Sequence, residues 1–105
     1  MKTVRVLGLG SCSRCNSLKG ELYYNNIPFS FIDVDRQSRI ADFVEDLLQT
    51  DLYPIAIVED SGSVCYVYSP DTSIDLGKKN IDNRVSKIGV FTLEDMIREI
   101  KILLI

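Results

Sequence analysis

Cys12-Ser13-Arg14-Cys15 places two thiols three positions apart, directly after a short apolar run and at the start of a helix-like stretch. Cysteines so spaced at a helix N-terminus can close a tight disulfide. The free N–H groups and macrodipole of that helix end favour negative charge on the first sulfur. Disulfide exchange needs a thiolate, whereas an ordinary cysteine with a pKa of ~8.5 is only a few per cent ionised at neutral pH. Cys12 stands where the dipole points, and Arg14 adds positive charge. Cys15 lies one turn further in, where a thiol stays protonated until it attacks a mixed disulfide. By themselves the two cysteines also suit a pair of structural thiols or half of a metal site. Zinc takes four ligands, however, and only Cys65 remains in a chain without histidine, so a complete all-Cys/His site within one monomer is excluded. Behind a strand and before a helix, the spacing reads as a thiol–disulfide redox site. Cys65, between Val64 and Tyr66 in an apolar run, reads as a core or sheet-face residue.

The elements that must position these thiols alternate between strand and helix. Thr3 to Leu9 is β-branched and apolar and predicts a central strand ending at Gly8-Leu9-Gly10. A helix follows from Ser13 to about Asn25, with Cys15, Leu18 and Leu22 on one face, and Asn25-Asn26-Ile27-Pro28 breaks it. Phe29 to Val34 predicts a second strand, with Asp33-Val34-Asp35 supplying a helix cap. Ile40, Phe43, Val44, Leu47 and Leu48 then give the best helical periodicity in the chain. Ile55 to Val58 and Val64 to Tyr68 predict two strands joined through Glu59-Asp60-Ser61-Gly62-Ser63 as a hairpin. Thr92-Leu93-Glu94-Asp95 has the form of a capping box, and Leu93, Met96, Ile97, Ile100 and Leu104 form the buried stripe of a last helix. The first two strands should be parallel, because a helix crosses between them, and the last two antiparallel. Positions 69–87, rich in Asp, Asn, Ser, Lys and Gly, predict a polar, exposed insertion in a single domain spanning 1–105.

Composition agrees with an ordinary globular chain. It has 105 residues, 46% of them hydrophobic, enough for a core without disulfide staples. A net charge of −3 and the lack of a Lys/Arg run give no case for nucleic acid. No apolar segment approaches the ~20 residues needed to cross a membrane, and Lys2 and Arg5 make the start a poor signal peptide. Three cysteines, one unpaired by the motif, suit a reducing compartment, and a cytoplasmic monomer is the expectation. The Gly8-Leu9-Gly10 segment lacks Rossmann and P-loop spacing.

In this order the motifs resemble a glutaredoxin, within the thioredoxin-like fold. The resemblance rests on Cys12-Ser13-Arg14-Cys15 after the first strand, and on Asn26-Ile27-Pro28-Phe29 leading into Ile32-Asp33-Val34-Asp35. It continues with Tyr53-Pro54 opening the third strand and Ile88-Gly89-Val90-Phe91 before the last helix. It implies an α/β fold of order βαβαββα, with a four-stranded mixed sheet flanked by three helices. It implies Cys12 as nucleophile, Cys15 as resolving thiol, and Pro54 as a cis-proline facing them. Tyr53 would offer backbone groups to the substrate, and Gly89, Val90, Phe91 and Thr92 would hold the γ-glutamyl carboxylate of glutathione at a helix N-terminus. Arg14, Gln37 or Arg39 would add positive or polar contacts. The family's lysine before the first cysteine is replaced by Gly8-Leu9-Gly10-Ser11, so glutathione is expected to bind weakly. The implied activity is dithiol reduction of protein or glutathione mixed disulfides, with no tightly bound cofactor. Glutathione or a thioredoxin-reductase-like protein would be the reductant, and disulfide proteins such as ribonucleotide reductase the substrates. The alternatives are a glutathione-independent thioredoxin-like protein or a non-catalytic binding module of the same fold.

Overall fold

A continuous apolar run sets the centre of the sheet. The computed structural model describes residues 1–70, 79–82 and 84–105. In it the strand β3 (Ile55–Asp60) buries Ile55, Ala56, Ile57 and Val58 in succession, as a strand covered on both faces does. The strand β1 (Lys2–Gly8) pairs antiparallel with it, and β4 (Ser63–Tyr68) pairs antiparallel on its other side. The turn between β3 and β4 places Ser61 and Gly62 at positive φ, the backbone of a tight hairpin that glycine adopts without strain. The strand β2 (Ser30–Asp33) lies parallel to β1, as the intervening helix requires.

That helix, α1 (Ser13–Tyr24), buries Cys15, Leu18 and Leu22, the stripe read from the sequence. It ends where Asn26 takes a left-handed conformation at φ 58°, with the Asn26 N–H donating to Tyr23 and the Ile27 N–H to Leu22. Those two bonds satisfy the last carbonyls of the helix. At the far end of the chain, α3 (Leu93–Leu104) is capped by Thr92, whose hydroxyl accepts the Asp95 N–H at 3.1 Å.

The two faces of the sheet carry different cores. Val4 and Val6, Ala56 and Val58, and Cys65 and Val67 cluster with the stripes of α1 and α3. The alternate residues Leu7, Ile55, Ile57, Tyr66 and Tyr68 cluster with the helix α2 (Ser38–Leu48). Cys65 is therefore a core residue at 7% exposure.

Three expectations are corrected. First, the face of α2 is rotated: Ala41, Val44 and Leu48 are buried, while Phe43 is 65% exposed and Ile40 borders solvent. The face that α2 turns to Leu7, Ile55 and Ile57 is that of Ala41, Val44 and Leu48, which leaves Phe43 on the solvent side. Second, Asp33 does not cap α2. Its carboxylate instead accepts the Asp35 N–H at 2.9 Å, and its carbonyl accepts Arg36 and Gln37, forming a turn one step before the helix. Third, the sheet holds more than four strands. The βαβαββα order stands, with a further hairpin of β5 (Lys79–Asp82) and β6 (Val85–Gly89) inserted before α3. The sheet reads β2-β1-β3-β4-β6, with β5 added at the outer edge. Within the 69–87 segment, Ser69 is buried just past the end of β4, and β5 with the first part of β6 is sheet and not loop. Positions 71–78 and 83 of that expected insertion lie outside the described residues.

Ile100 is fully buried between α3 and the sheet. Ile100→Ala should lower unfolding free energy by about 2–5 kcal/mol in urea titration, while leaving the alkylation rate of Cys12 unchanged.

Candidate active site

All the strands that carry the site end or begin at one edge of the sheet. The C-terminal end of β1 leads into Cys12, the start of β3 lies opposite at Leu7 and Ile55, and β4 ends there at Tyr68. Cys12 is the N-cap of α1 with extended backbone, φ −82° and ψ 116°. Its N–H donates to the Leu9 carbonyl at 3.2 Å, closing the turn that carries the chain from strand to helix.

The two sulfurs have different surroundings. Cys12 is partly exposed, and its sulfur accepts the Cys15 backbone N–H at 3.1 Å, one of the orphan donors of the helix end. This is the donor that a thiolate at that position would use. On its other side the Cys12 thiol donates to the Tyr53 carbonyl at 4.0 Å. Cys15 is fully buried, and burial pushes its thiol up to about 11. The hydrogen bond with the Cys12 side chain adds to the rise, whereas a Leu9 backbone hydrogen bond and the charge of Lys19 pull the other way. All three cysteines are thiols in this structure.

Gly8 makes that burial possible. A Cβ built on Gly8 would stand 2.6 Å from Cys15 Sγ and 3.0 Å from its Cβ, so any other residue there would displace the thiol. The ring of Phe31 closes the same space at 3.3 Å, and Lys19 Nζ sits 4.0 Å above that ring.

The wall opposite the thiols is the connection between α2 and β3. The Tyr53–Pro54 peptide bond is cis and Pro54 is fully buried. Buried Thr50 donates its hydroxyl to the Ser69 carbonyl at 3.1 Å and accepts the Leu52 N–H at 3.2 Å, tying this connection to the end of β4. Arg14 Nη2 donates to the Ser69 hydroxyl at 3.5 Å, so the motif's cation leans over the same strand end.

Of the residues read from the sequence, the structure brings Cys12, Cys15, Arg14, Tyr53 and Pro54 together. Gln37 and Arg39, exposed at the start of α2, share the same edge on the β2 side. Gly89, Val90, Phe91 and Thr92 lie at the β6–α3 junction on the other side, where the Val90 N–H donates to the Tyr68 carbonyl at 2.9 Å. Because β6 is inserted beyond β4, this junction is three strand positions from β1, roughly 14 Å across the sheet. Sequence reasoning missed Gly8, Thr50 and Ser69, and Glu45, whose carboxylate accepts the Tyr53 hydroxyl, as parts of the site. Gly8 had a usable signal, a glycine closing an apolar strand just before the cysteines; the hydroxyls and the carboxylate had none. No protein-family model matches the chain, and no curated protein does either. Among the described residues, no helix is long and apolar enough to cross a membrane.

Two outcomes follow from the Cys15 environment. Gly8→Ala should destabilise the fold by about 1–3 kcal/mol, the usual size of an overpacked core, and should expose Cys15 to thiol reagents under native conditions. The second concerns pH. The folded chain holds the Cys15 proton up to about 11, raised from 9.0. The stabilisation is therefore fully present below pH 9 and is lost as pH rises toward 11. Urea unfolding across that window should show a fall in stability that is smaller in Cys15→Ala.

Proposed function

We propose that this chain is a dithiol oxidoreductase of glutaredoxin type, on a thioredoxin-like fold, reducing protein or glutathione mixed disulfides through Cys12 and Cys15. What carries this reading is the asymmetry of the pair: one partly exposed sulfur at a helix N-cap with a backbone N–H aimed at it, and one buried thiol held protonated beside it. Supporting it are the strand order β2-β1-β3-β4, with β1 and β2 parallel and the others antiparallel, and the cis Tyr53–Pro54 bond across from the motif.

In the first step the Cys12 thiolate attacks one sulfur of the substrate disulfide. The substrate S–S bond breaks, a Cys12–substrate S–S bond forms, and the other half leaves as a thiolate with the bonding electron pair. In the second step Cys15 loses its proton and attacks the Cys12 sulfur. The substrate's remaining half leaves, taking up a proton, and Cys12 and Cys15 are joined as a disulfide. Two thiols from the reductant then restore the pair and become a disulfide themselves. Holding Cys15 protonated keeps the two thiolates from coexisting at close range, and leaves the first attack to Cys12.

Glutathione is the reductant proposed, working at high concentration, because no cation occupies positions 8–11 and Arg14 is turned toward Ser69. A thioredoxin-reductase-like protein is the alternative donor, and a reducing compartment such as the cytoplasm suits a resting dithiol.

Turnover of a small glutathione mixed disulfide, coupled to glutathione reductase, tests the assignment. Cys12→Ser should abolish it, and Cys15→Ser should keep part of it while losing reduction of protein disulfides. A dead Cys15→Ser alongside an active Cys12→Ser would overturn the roles. Turnover no faster than free thiol would leave a binding module.

A further inference from the structure

The Tyr53 backbone lies against the reactive sulfur, and its side chain reaches the other way. The carbonyl stands 4.0 Å from Cys12 Sγ. The ring is half-buried against the core on the α2 side of the sheet, and its hydroxyl donates to the carboxylate of Glu45 on α2. Burial, and then Glu45 itself, push the Tyr53 hydroxyl well above its ordinary range, so it remains a donor at any physiological pH.

We propose that Glu45 is a positioning residue: by holding the Tyr53 hydroxyl it fixes the Tyr53 carbonyl beside Cys12, and so sets how well the site retains a polypeptide joined to that sulfur. This rests on the redox reading for its purpose, though not for its test. The connection from α2 to β3 is anchored on Glu45 at both ends. The Glu45 carbonyl accepts the Gln49 and Thr50 N–H groups, and its carboxylate takes hold of residue 53 itself. Thr50 adds a bridge between Leu52 and Ser69, so the segment between has little slack.

Disulfide geometry says which substrates feel this clamp. The Cα atoms of a bridged pair lie ~5.5–6 Å apart. A half-cystine joined to Cys12 therefore lies within reach of the Tyr53 carbonyl, 4.0 Å from that sulfur, and has a peptide N–H to offer it, whereas a simple thiol such as 2-mercaptoethanol has none. The substrate class favoured is a cysteine within a peptide backbone.

The test uses the full chain carrying Cys15→Ser and Cys65→Ser, so that Cys12 is the single thiol. The equilibrium constant for its exchange is measured by intact mass with two disulfides: the symmetric disulfide of a blocked cysteine tripeptide, and 2-hydroxyethyl disulfide. In each exchange the Cys12 thiolate displaces one half as a thiolate and keeps the other, and no reductase or turnover is involved. Tyr53→Phe and Glu45→Ala should each lower the tripeptide constant about three- to tenfold, the size of one neutral hydrogen bond, with the hydroxyethyl constant unchanged. The double variant should fall no further than either single one, because both remove the same bond. Glu45→Gln, whose side-chain carbonyl still accepts, should restore most of the tripeptide constant. The proposal is overturned if the tripeptide constant is unmoved, if both constants fall together, or if the two losses add. Should Glu45→Ala fail to fold, Tyr53→Phe decides the matter, since it deletes one oxygen. A chain that shows this pattern yet catalyses no reduction would retain the clamp and lose the redox reading.

Discussion

The site depends on a missing side chain. Where β1 meets α1, Gly8 leaves room for the Cys15 sulfur at a distance that no Cβ would tolerate. Because Cys15 fits there, α1 begins close against the end of the central strands, and Cys12 falls at the N-cap with the Cys15 N–H directed to its sulfur. Burial of one thiol and partial exposure of the other are two consequences of one close approach. The hydrophobic core contributes by fixing the strand ends. Leu7 pairs with Ile55, and Leu18 and Leu22 seat α1 on the same sheet face as α3, so the motif cannot drift from the Tyr53–Pro54 wall.

The opposite wall is held by polar contacts instead. Thr50, Ser69 and Glu45 bind a short connection between a helix and a strand, where apolar packing alone would leave backbone groups unpaired. Rigidity comes from the sheet below, and these hydrogen bonds hold the segment that faces Cys12. The inserted β5–β6 hairpin widens the sheet on the far side of β4 and carries the start of α3 away from the thiols. A ligand bridging Cys12 and that helix end has further to reach than it would beside β4 itself.

Local signals in the sequence carried much of this arrangement. The strand before the cysteines, the Cys15-Leu18-Leu22 stripe, the Asn25-Asn26 stop and the Thr92 cap each follow from residue type and spacing within a few positions. What the sequence hid was decided by contacts that periodicity does not announce. Phe43 completes a helical period as well as Ala41 does, and only the way α2 is seated on the sheet puts the smaller residue inside. Asp33 is a good cap by composition, yet its carboxylate found a nearer N–H in Asp35. Val85 and Ile88 are too sparse among Ser86 and Lys87 to signal a strand, and β6 exists because β4 offers it a partner edge. The Glu45–Tyr53 bond joins residues eight apart across a helix end, with no periodicity to announce it.

The asymmetry of the two thiols is the central claim, and the order of their modification tests it most directly. The reduced native chain at neutral pH is treated with iodoacetamide for increasing times, and the labelled positions are mapped by peptide mass. Cys12 should be modified first, with Cys15 and Cys65 protected until denaturant is added. Labelling of Cys15 at a rate equal to or above that of Cys12 in the folded chain would contradict the account.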